Sequence, residues 1–443
     1  MIEVSAGDGA CAGSPRHSAG APPSAWKKYV VPLAILALAI GAFAIGTTEF
    51  VAMGLLPDMA RSFDVGIASA GWLITAYALG VVVGAPTLTA LTHSMPRKRV
   101  LTGLMGLFAV GHVATALAPS FDLLVGARFL SGLSHGAFFG AAAVVARKIA
   151  PAGKQGQAMA LVFSGLTIAN VVGVPLGTYV GQQLGWRLTF SLVGVIGLVT
   201  IAAILVLVPE VETRTGSLRS EFAAFRRGQV WWSLLITTIG FASLFTVLSY
   251  VSPLLTEVAG FAEGSVSWVL VLFGLGATLG NLLGGRLADW RPYRTLAVGF
   301  VAQVLVFGGL YLFADSRAAA AAAVFLVAFI GFTMSAPIQT RAILAAGGGA
   351  SMASASLQAA FNVGNALGAF AGGLAIDAGF GYASPALVAM VLAALGLLIL
   401  AEATRADKNG RAPIDPLVAA LPAQRRRRVT TAGDLPATSG RDA

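Results

Sequence analysis

Two ionisable residues stand inside otherwise apolar stretches of this chain: Glu49, in GTTEFVAMGLLPDMA, and Arg128, at the head of RFLSGLSHGAFFG. A charge at the centre of a bilayer costs about 2.5–3.5 kcal/mol on insertion scales, so a group held there needs a partner or a task. A carboxylate can take up and release a proton, and a nearby guanidinium, always charged, competes with that proton for the carboxylate. Glu49 lies about two helical turns before Pro57 and Arg128 about two turns after Asp122, which sets them at similar depth. An ion pair between them is the expectation, with two meanings open: a permanent structural bridge, or a proton site that exchanges its arginine during a cycle. His135 lies seven residues past Arg128, on a face with Gly132, Gly136 and Gly140. It is either a proton relay or a histidine satisfied in a packed core.

The elements that must hold these groups are membrane helices. Of 443 residues, 57% are hydrophobic and 11% charged, and the mean hydropathy is +0.82, outside the range of soluble domains. The formal net charge of +10 would suit nucleic acid only on a polar domain, which the chain lacks. Its single cysteine, Cys11, excludes a disulfide framework or a cysteine metal site. A span needs about 20 apolar residues, and such windows fall near 29–56, 66–91, 99–118, 122–146, 156–183 and 187–208. After the polar stretch 210–229, six more fall near 230–257, 264–288, 294–314, 318–340, 351–375 and 382–402. The expected fold is an all-α membrane protein of twelve transmembrane helices in two pseudo-symmetric six-helix halves, 29–209 and 230–403. A disordered tail (1–28), a linker (210–229) and a basic tail (404–443) complete it, all cytoplasmic by the distribution of Lys and Arg.

The halves repeat each other. Residues 72–98 and 268–294 match at an offset of 196: Trp72 with Trp268, Gly80 and Gly84 with Gly276 and Gly280, Lys98 with Arg294. Duplicated membrane halves are a common build of secondary transporters. Glycines recur every four residues at 173–185, 276–284 and 364–372, a spacing that lets helix backbones approach closely in lipid, here expected between the halves. Asn170, Asn281, Asn362 and Asn365 sit on these glycine-rich helices, for hydrogen bonding between helices or for lining a cavity. The chain carries no G-x-x-x-x-G-K-[ST] phosphate loop and no H-E-x-x-H pair, so neither ATP-driven transport nor zinc proteolysis has its chemistry here. No enzyme activity, catalytic residue, metal or cofactor is expected; an ion gradient, or the substrate's own, supplies the energy.

Three stretches, 46–60, 128–140 and 165–177, resemble the major facilitator superfamily, in its twelve-span drug:proton antiporter branch of arabinose-efflux-like and chloramphenicol-efflux-like permeases. The resemblance covers about 29–403. It implies that Arg128 takes part in proton coupling and that Gly165, Gly173, Pro175 and Gly177 belong to an antiporter motif, interrupted here by Val174. It also implies gating motifs in the loops after segments 2 and 8. The first holds Arg97, Lys98 and Arg99 but has His93 where the family has an acid; the second keeps Asp289 and Arg294. The expected function is export of small amphipathic organic molecules by proton antiport, as a monomer in the bacterial inner membrane. A transporter of a sugar, nucleoside or related metabolite is the alternative, and a non-transporting receptor a more distant one.

Overall fold

The computed structural model describes residues 24–92, 94–151, 154–211, 223–346 and 350–408. Within them twelve helices are long and apolar enough to cross a membrane. In chain order they are α1 Val31–Gly54, α2 Ile67–Leu91, α3 Arg97–Leu117, α4 Phe121–Ile149, α5 Gln157–Leu184 and α6 Trp186–Leu207, then α7 Gly228–Leu248, α8 Glu263–Ala288, α9 Pro292–Leu312, α10 Arg317–Ala346, α11 Ser356–Phe380 and α12 Ser384–Asp407. A short helix, Leu56–Ser62, follows α1. The bundle has two ends, one carrying Arg61 and the other carrying Arg97 and Arg294. Two helices outrun their apolar windows: α10 reaches Ala346 and the last helix reaches Lys408, past 404. Those extra turns carry Arg341 and Asp407 into the bundle.

The duplication seen in the sequence returns in the packing. A β-carbon on Gly80 would stand 2.2 Å from the Phe129 carbonyl oxygen, and one on Gly84 2.0 Å from that of Leu133. In the second half Gly276 meets the Phe325 oxygen at 2.4 Å and Gly280 that of Phe329 at 2.3 Å. All four residues of one set map onto the other at the same offset of 196. The α2–α4 and α8–α10 crossings are therefore one design used twice.

The glycine stripes pack inside the halves, against the expectation that they join them. Gly165 lies against Ala39 of α1 and Gly364 against Thr238 of α7, where an added β-carbon would stand 2.1 and 2.5 Å from the carbonyl oxygens. Four-residue spacing defines which face of a helix is smooth, not which helix lies upon it. Gly274 is a crossing point: its missing side chain leaves room for the Asn170 backbone of α5. There α5 takes a π-helical turn, Ala169–Gly173. Pro175 explains it, because its missing N–H leaves the Val171 carbonyl without an i+4 donor.

Side-chain contacts between the halves gather toward the Arg61 end. Phe50 of α1 lies 6.1 Å from Phe245 and 5.8 Å from Phe273, and Trp72 lies 5.9 Å from Phe370. Arg61 bridges to Glu263 at 2.7 Å. The apolar core divides accordingly. Phe50, Met53, Ile74 and Val174 of the first half join the core of the second. The cluster around Ile35, Leu101, Val145 and Val162, nearer the Arg97 end, draws on the first half alone.

Candidate functional site

The polar groups of the first half meet where α1, α2, α3 and α4 cross. Gly80 and Gly84 let α2 close on α4, which sets Tyr77 against Arg128; Gly111 lets α3 close on α4 at Ser131, which brings His112 in beside it. Arg128 is fully buried. Its Nη1 donates to the Thr48 hydroxyl at 3.0 Å, its Nη2 to the Thr48 carbonyl at 3.2 Å and its Nε to the Leu73 carbonyl at 3.4 Å. The guanidinium carbon also stands 4.5 Å from the Tyr77 ring centroid and 5.2 Å from that of Phe190. Neutral acceptors and aromatic faces thus solvate this cation in place of water.

Glu49 follows Thr48 on α1 and is 3% exposed. The expected ion pair is not formed: Arg128 spends its donors on Thr48 and Leu73, and the Glu49 Oε1 is buried without a hydrogen-bond partner. Adjacent residues on a helix point about 100° apart, so an arginine engaged by Thr48 is turned away from Glu49. Arg128 thus meets the residue before Glu49 rather than Glu49 itself.

His135 is buried and lies 3.1 Å from the Tyr77 hydroxyl through Nδ1 and 3.5 Å from Nε2 of Gln358 through its own Nε2. Tyr77 therefore touches both Arg128 and His135, and Gln358 on α11 ties the group to the second half. Beyond His135, Phe139 stacks on Phe163 at 5.2 Å. At the seam Phe50 joins Phe241, Phe245, Phe273, Phe332 and Phe361, a set supplied mostly by the second half.

Asn362 donates to Gln358 of its own helix at 3.0 Å. Its Oδ1, the Oδ1 of Asn170 and the Oδ1 and Nδ2 of Asn365 are buried with no hydrogen-bond partner, so these atoms make no bond between helices. Asn281 is exposed, on the face of α8 that carries Gly274. Of the loop motifs, His93 lies outside the described residues, as does the side chain of Asp289. Arg97 and Lys98 are half-buried, Arg99 and Arg294 exposed. Gly165, Gly173 and Gly177 all pack against α1 beside the π-turn. Among the described residues no cluster of His, Cys, Asp and Glu could hold a metal ion.

Sequence reasoning missed several members. His112 binds the Thr48 hydroxyl through Nε2 at 2.8 Å and the Phe108 carbonyl through Nδ1 at 2.8 Å. A second buried arginine, Arg341, reaches Gln229 and Ser233 on α7 and sits 3.5 Å from Asp407. At the Arg61 end, Arg61 donates to Asp58 at 2.6 Å and Glu263 at 2.7 Å. Burial raises the Asp58 carboxyl above its ordinary range despite this arginine, while the Glu263 hydrogen bond holds Arg61 above its own.

Comparison with known proteins gives this arrangement its family. The Major Facilitator Superfamily profile matches residues 38–356. The inner membrane transport protein YdhP of Escherichia coli K12 is 39% identical over 372 residues, 84% of this chain and 96% of its own length. The putative transporter AraJ of Escherichia coli K12 is 37% identical, covering 83% of this chain and 94% of AraJ. A chloramphenicol resistance protein of Streptomyces lividans is 34% identical, covering 83% and 95%. Among solved structures, an occupied, inward-facing bacterial homolog of the human lysosomal transporter Spinster superposes with a TM-score of 0.69 at 16% identity, over 86% of this chain and 98% of that one. With its twelve helices in two matched halves, this chain belongs to the major facilitator superfamily.

Proposed function

We propose that this transporter exports small amphipathic organic molecules from the cytoplasm in exchange for protons. The observation that carries the reading is Glu49, an ionisable carboxyl 3% exposed whose Oε1 has no hydrogen-bond partner, beside an arginine that donates to Thr48 and Leu73 instead. Protonated, Glu49 rests uncharged in an apolar interior; ionised, it requires a counter-charge, and Arg128 is the cation at its depth. Moving Arg128 between Thr48 and Glu49 shifts α4 against α1, so proton exchange at Glu49 is coupled to helix geometry. The aromatic surfaces at the seam suit flat, weakly charged compounds, and similarity to a chloramphenicol resistance protein supports efflux.

In this reading the halves rock about the seam. Contacts at the Arg61 end, taken as the outer face, hold that side closed: Phe50 against Phe245 and Phe273, and Arg61 on Glu263. These part when the substrate leaves. The basic Arg97 and Arg294 end then faces the cytoplasm, with both tails. The test uses everted vesicles whose lumen has been acidified, the pH difference followed by a pH-sensitive acridine dye, with chloramphenicol and a panel of amphipathic cations and sugars added in turn. Substrate-dependent collapse of the gradient, abolished in Glu49→Gln, is the expected result. Uptake of a compound with no proton movement, or full coupling in Glu49→Gln, would overturn the assignment.

A further inference from the structure

We infer that His112 is a positioning residue that sets whether Arg128 rests on Thr48 or turns to Glu49; this deepens the proton-antiport reading and rests on it. With His112 neutral, the fixed roles of the backbone carbonyl and the guanidinium assign donors and acceptors along the chain. The Phe108 carbonyl can only accept, so His112 Nδ1 carries the hydrogen that meets it at 2.8 Å. Neutral His112 then presents Nε2 as an acceptor, 2.8 Å from the Thr48 hydroxyl. Arginine can only donate, so the same hydroxyl accepts from Arg128 Nη1 at 3.0 Å. Thr48 thus gives its one hydrogen to His112 and turns its lone pairs toward Arg128. The imidazole polarises the hydroxyl into a better acceptor for the guanidinium.

The surroundings leave this work to His112. Phe108 lies against its ring at 4.0 Å and Phe190 of α6 at 6.2 Å, and Gly194 of α6 approaches its β-carbon. Of the charged and titratable groups around it, Arg128 on α4 shares the Thr48 hydroxyl with it, Glu49 is the next residue on α1, and Tyr77 on α2 and His135 on α4 lie beyond Arg128, while Phe190 and Gly194 face it from α6. His112 is fully buried, a cost its two hydrogen bonds offset. If its acceptor is lost, by substitution or by protonation of Nε2, the Thr48 hydroxyl rotates to another partner and weakens as an acceptor. Arg128 then gains by turning to the unpartnered Glu49 Oε1, where it competes with the proton.

The test measures substrate-driven proton movement in everted vesicles across a pH series for Thr48→Val, His112→Leu, their double variant, and the conservative Thr48→Ser and His112→Gln. A cation brought within about 4–6 Å moves a carboxylate's titration by about 1–3 pH units. The half-maximal pH in Thr48→Val and in His112→Leu therefore shifts toward acid by about one unit or more, and the double variant shifts no further than either single. Thr48→Ser and His112→Gln, which keep the hydroxyl and an acceptor, return the wild-type midpoint. Loss of activity in equal proportion at every pH, with the midpoint unmoved, would overturn the inference. Infrared titration of the protonated Glu49 carbonyl band, assigned by its disappearance in Glu49→Gln, reads the same midpoint in purified protein without transport. A shifted band in a protein that moves no protons would refute antiport and keep the positioning role; an unshifted band would refute the role itself. Monodisperse gel filtration of each variant checks that it is folded.

Discussion

Alanine at Gly84 and at Gly280 applies one perturbation to the two copies of one crossing. A β-carbon on Gly84 would lie 2.0 Å from the Leu133 oxygen, and on Gly280 2.3 Å from that of Phe329, where ordinary contact begins at 3.4 Å. The obstacle is backbone, so α2 must part from α4 by about 1.4 Å and α8 from α10 by about 1.1 Å if the helices move as rigid bodies. Gaps of about 0.5–1 Å already forfeit a quarter to a half of a dispersion contact, and overpacking of this kind costs about 1–3 kcal/mol. Alanine's better helix propensity returns about 0.5–1 kcal/mol. The net loss is about 1–2 kcal/mol at each site, larger at Gly84. Gly140, with nothing within 4 Å of its β-carbon, is the control, and Gly140→Ala should be neutral or slightly stabilising. Half-lives of detergent-purified protein at raised temperature, followed by gel filtration, rank the three, since heating membrane proteins is seldom reversible. Transport separates the two halves. Parting α2 from α4 pulls Tyr77 from Arg128 and His135, which it now meets at 4.5 and 3.1 Å, so Gly84→Ala loses about tenfold or more in transport. Gly280→Ala, which moves neither Arg128 nor Glu49, loses a few-fold. Equal stability of Gly84→Ala and Gly140→Ala, or equal transport loss in Gly84→Ala and Gly280→Ala, would refute the reasoning.

Other consequences can be measured in the same preparation. Burial raises the Asp58 carboxyl, so its ionised form costs free energy at neutral pH, and that cost is relieved as pH falls through the raised value. Asp58→Asn should therefore stay within about 1 kcal/mol of wild type at pH 7 although it loses an ion pair, and the two should converge in acid; melting curves at several pH values decide, and a large loss confined to neutral pH would contradict this. Ending the chain before Asp407 strips Arg341 of its carboxylate at 3.5 Å, and with Arg341 3% exposed the cost is about 2–4 kcal/mol. A chain ending after Lys408 keeps the contact and should melt like the full protein. Asn365→Leu removes two buried amide atoms that lack partners, which should stabilise the resting protein by about 1–2 kcal/mol. If Asn365 serves substrate or the opposite conformation, that variant melts higher and transports less; a lower melting temperature would mean that the amide is satisfied here after all.

The spans were legible because a run of about 20 apolar residues has few other uses, and all twelve helices overlap the windows read from the sequence. Charge inside a span was legible where it stood well within the apolar run, as with Glu49 and Arg128. Arg341 escaped because it falls one residue past an apolar window that ended at 340, and its partner Asp407 because it lies among polar residues that read as tail. Thr48 carries no signal of its own, since threonine is common in helices; His112 did carry one, as one of two histidines inside the apolar windows, but the packing of four helices decides what it meets. The ion pair was inferred from depth, which fixes one coordinate of three. Rotation about α1 decides whether Arg128 meets residue 48 or 49, and hydrophobicity does not report it. For the same reason the glycine stripes announced close packing without saying which neighbour would lie upon them.

Where α4 of the first half bears Arg128, the matching position of α10, 196 residues on, is Val324, and the position matching His135 is Gly331. The copies kept one scaffold, but only the first carries an arginine and a histidine at these two positions; the buried arginine of the second, Arg341, stands elsewhere on α10. The second was left free to change its lining, and it supplies most of the phenylalanines at the seam. On the proposed mechanism, selection for a new cargo acts on α7, α8 and α10 and leaves Glu49 and Arg128 in place. A chimera that joins this first half to a relative's second half should inherit the relative's cargo and keep this chain's dependence on pH.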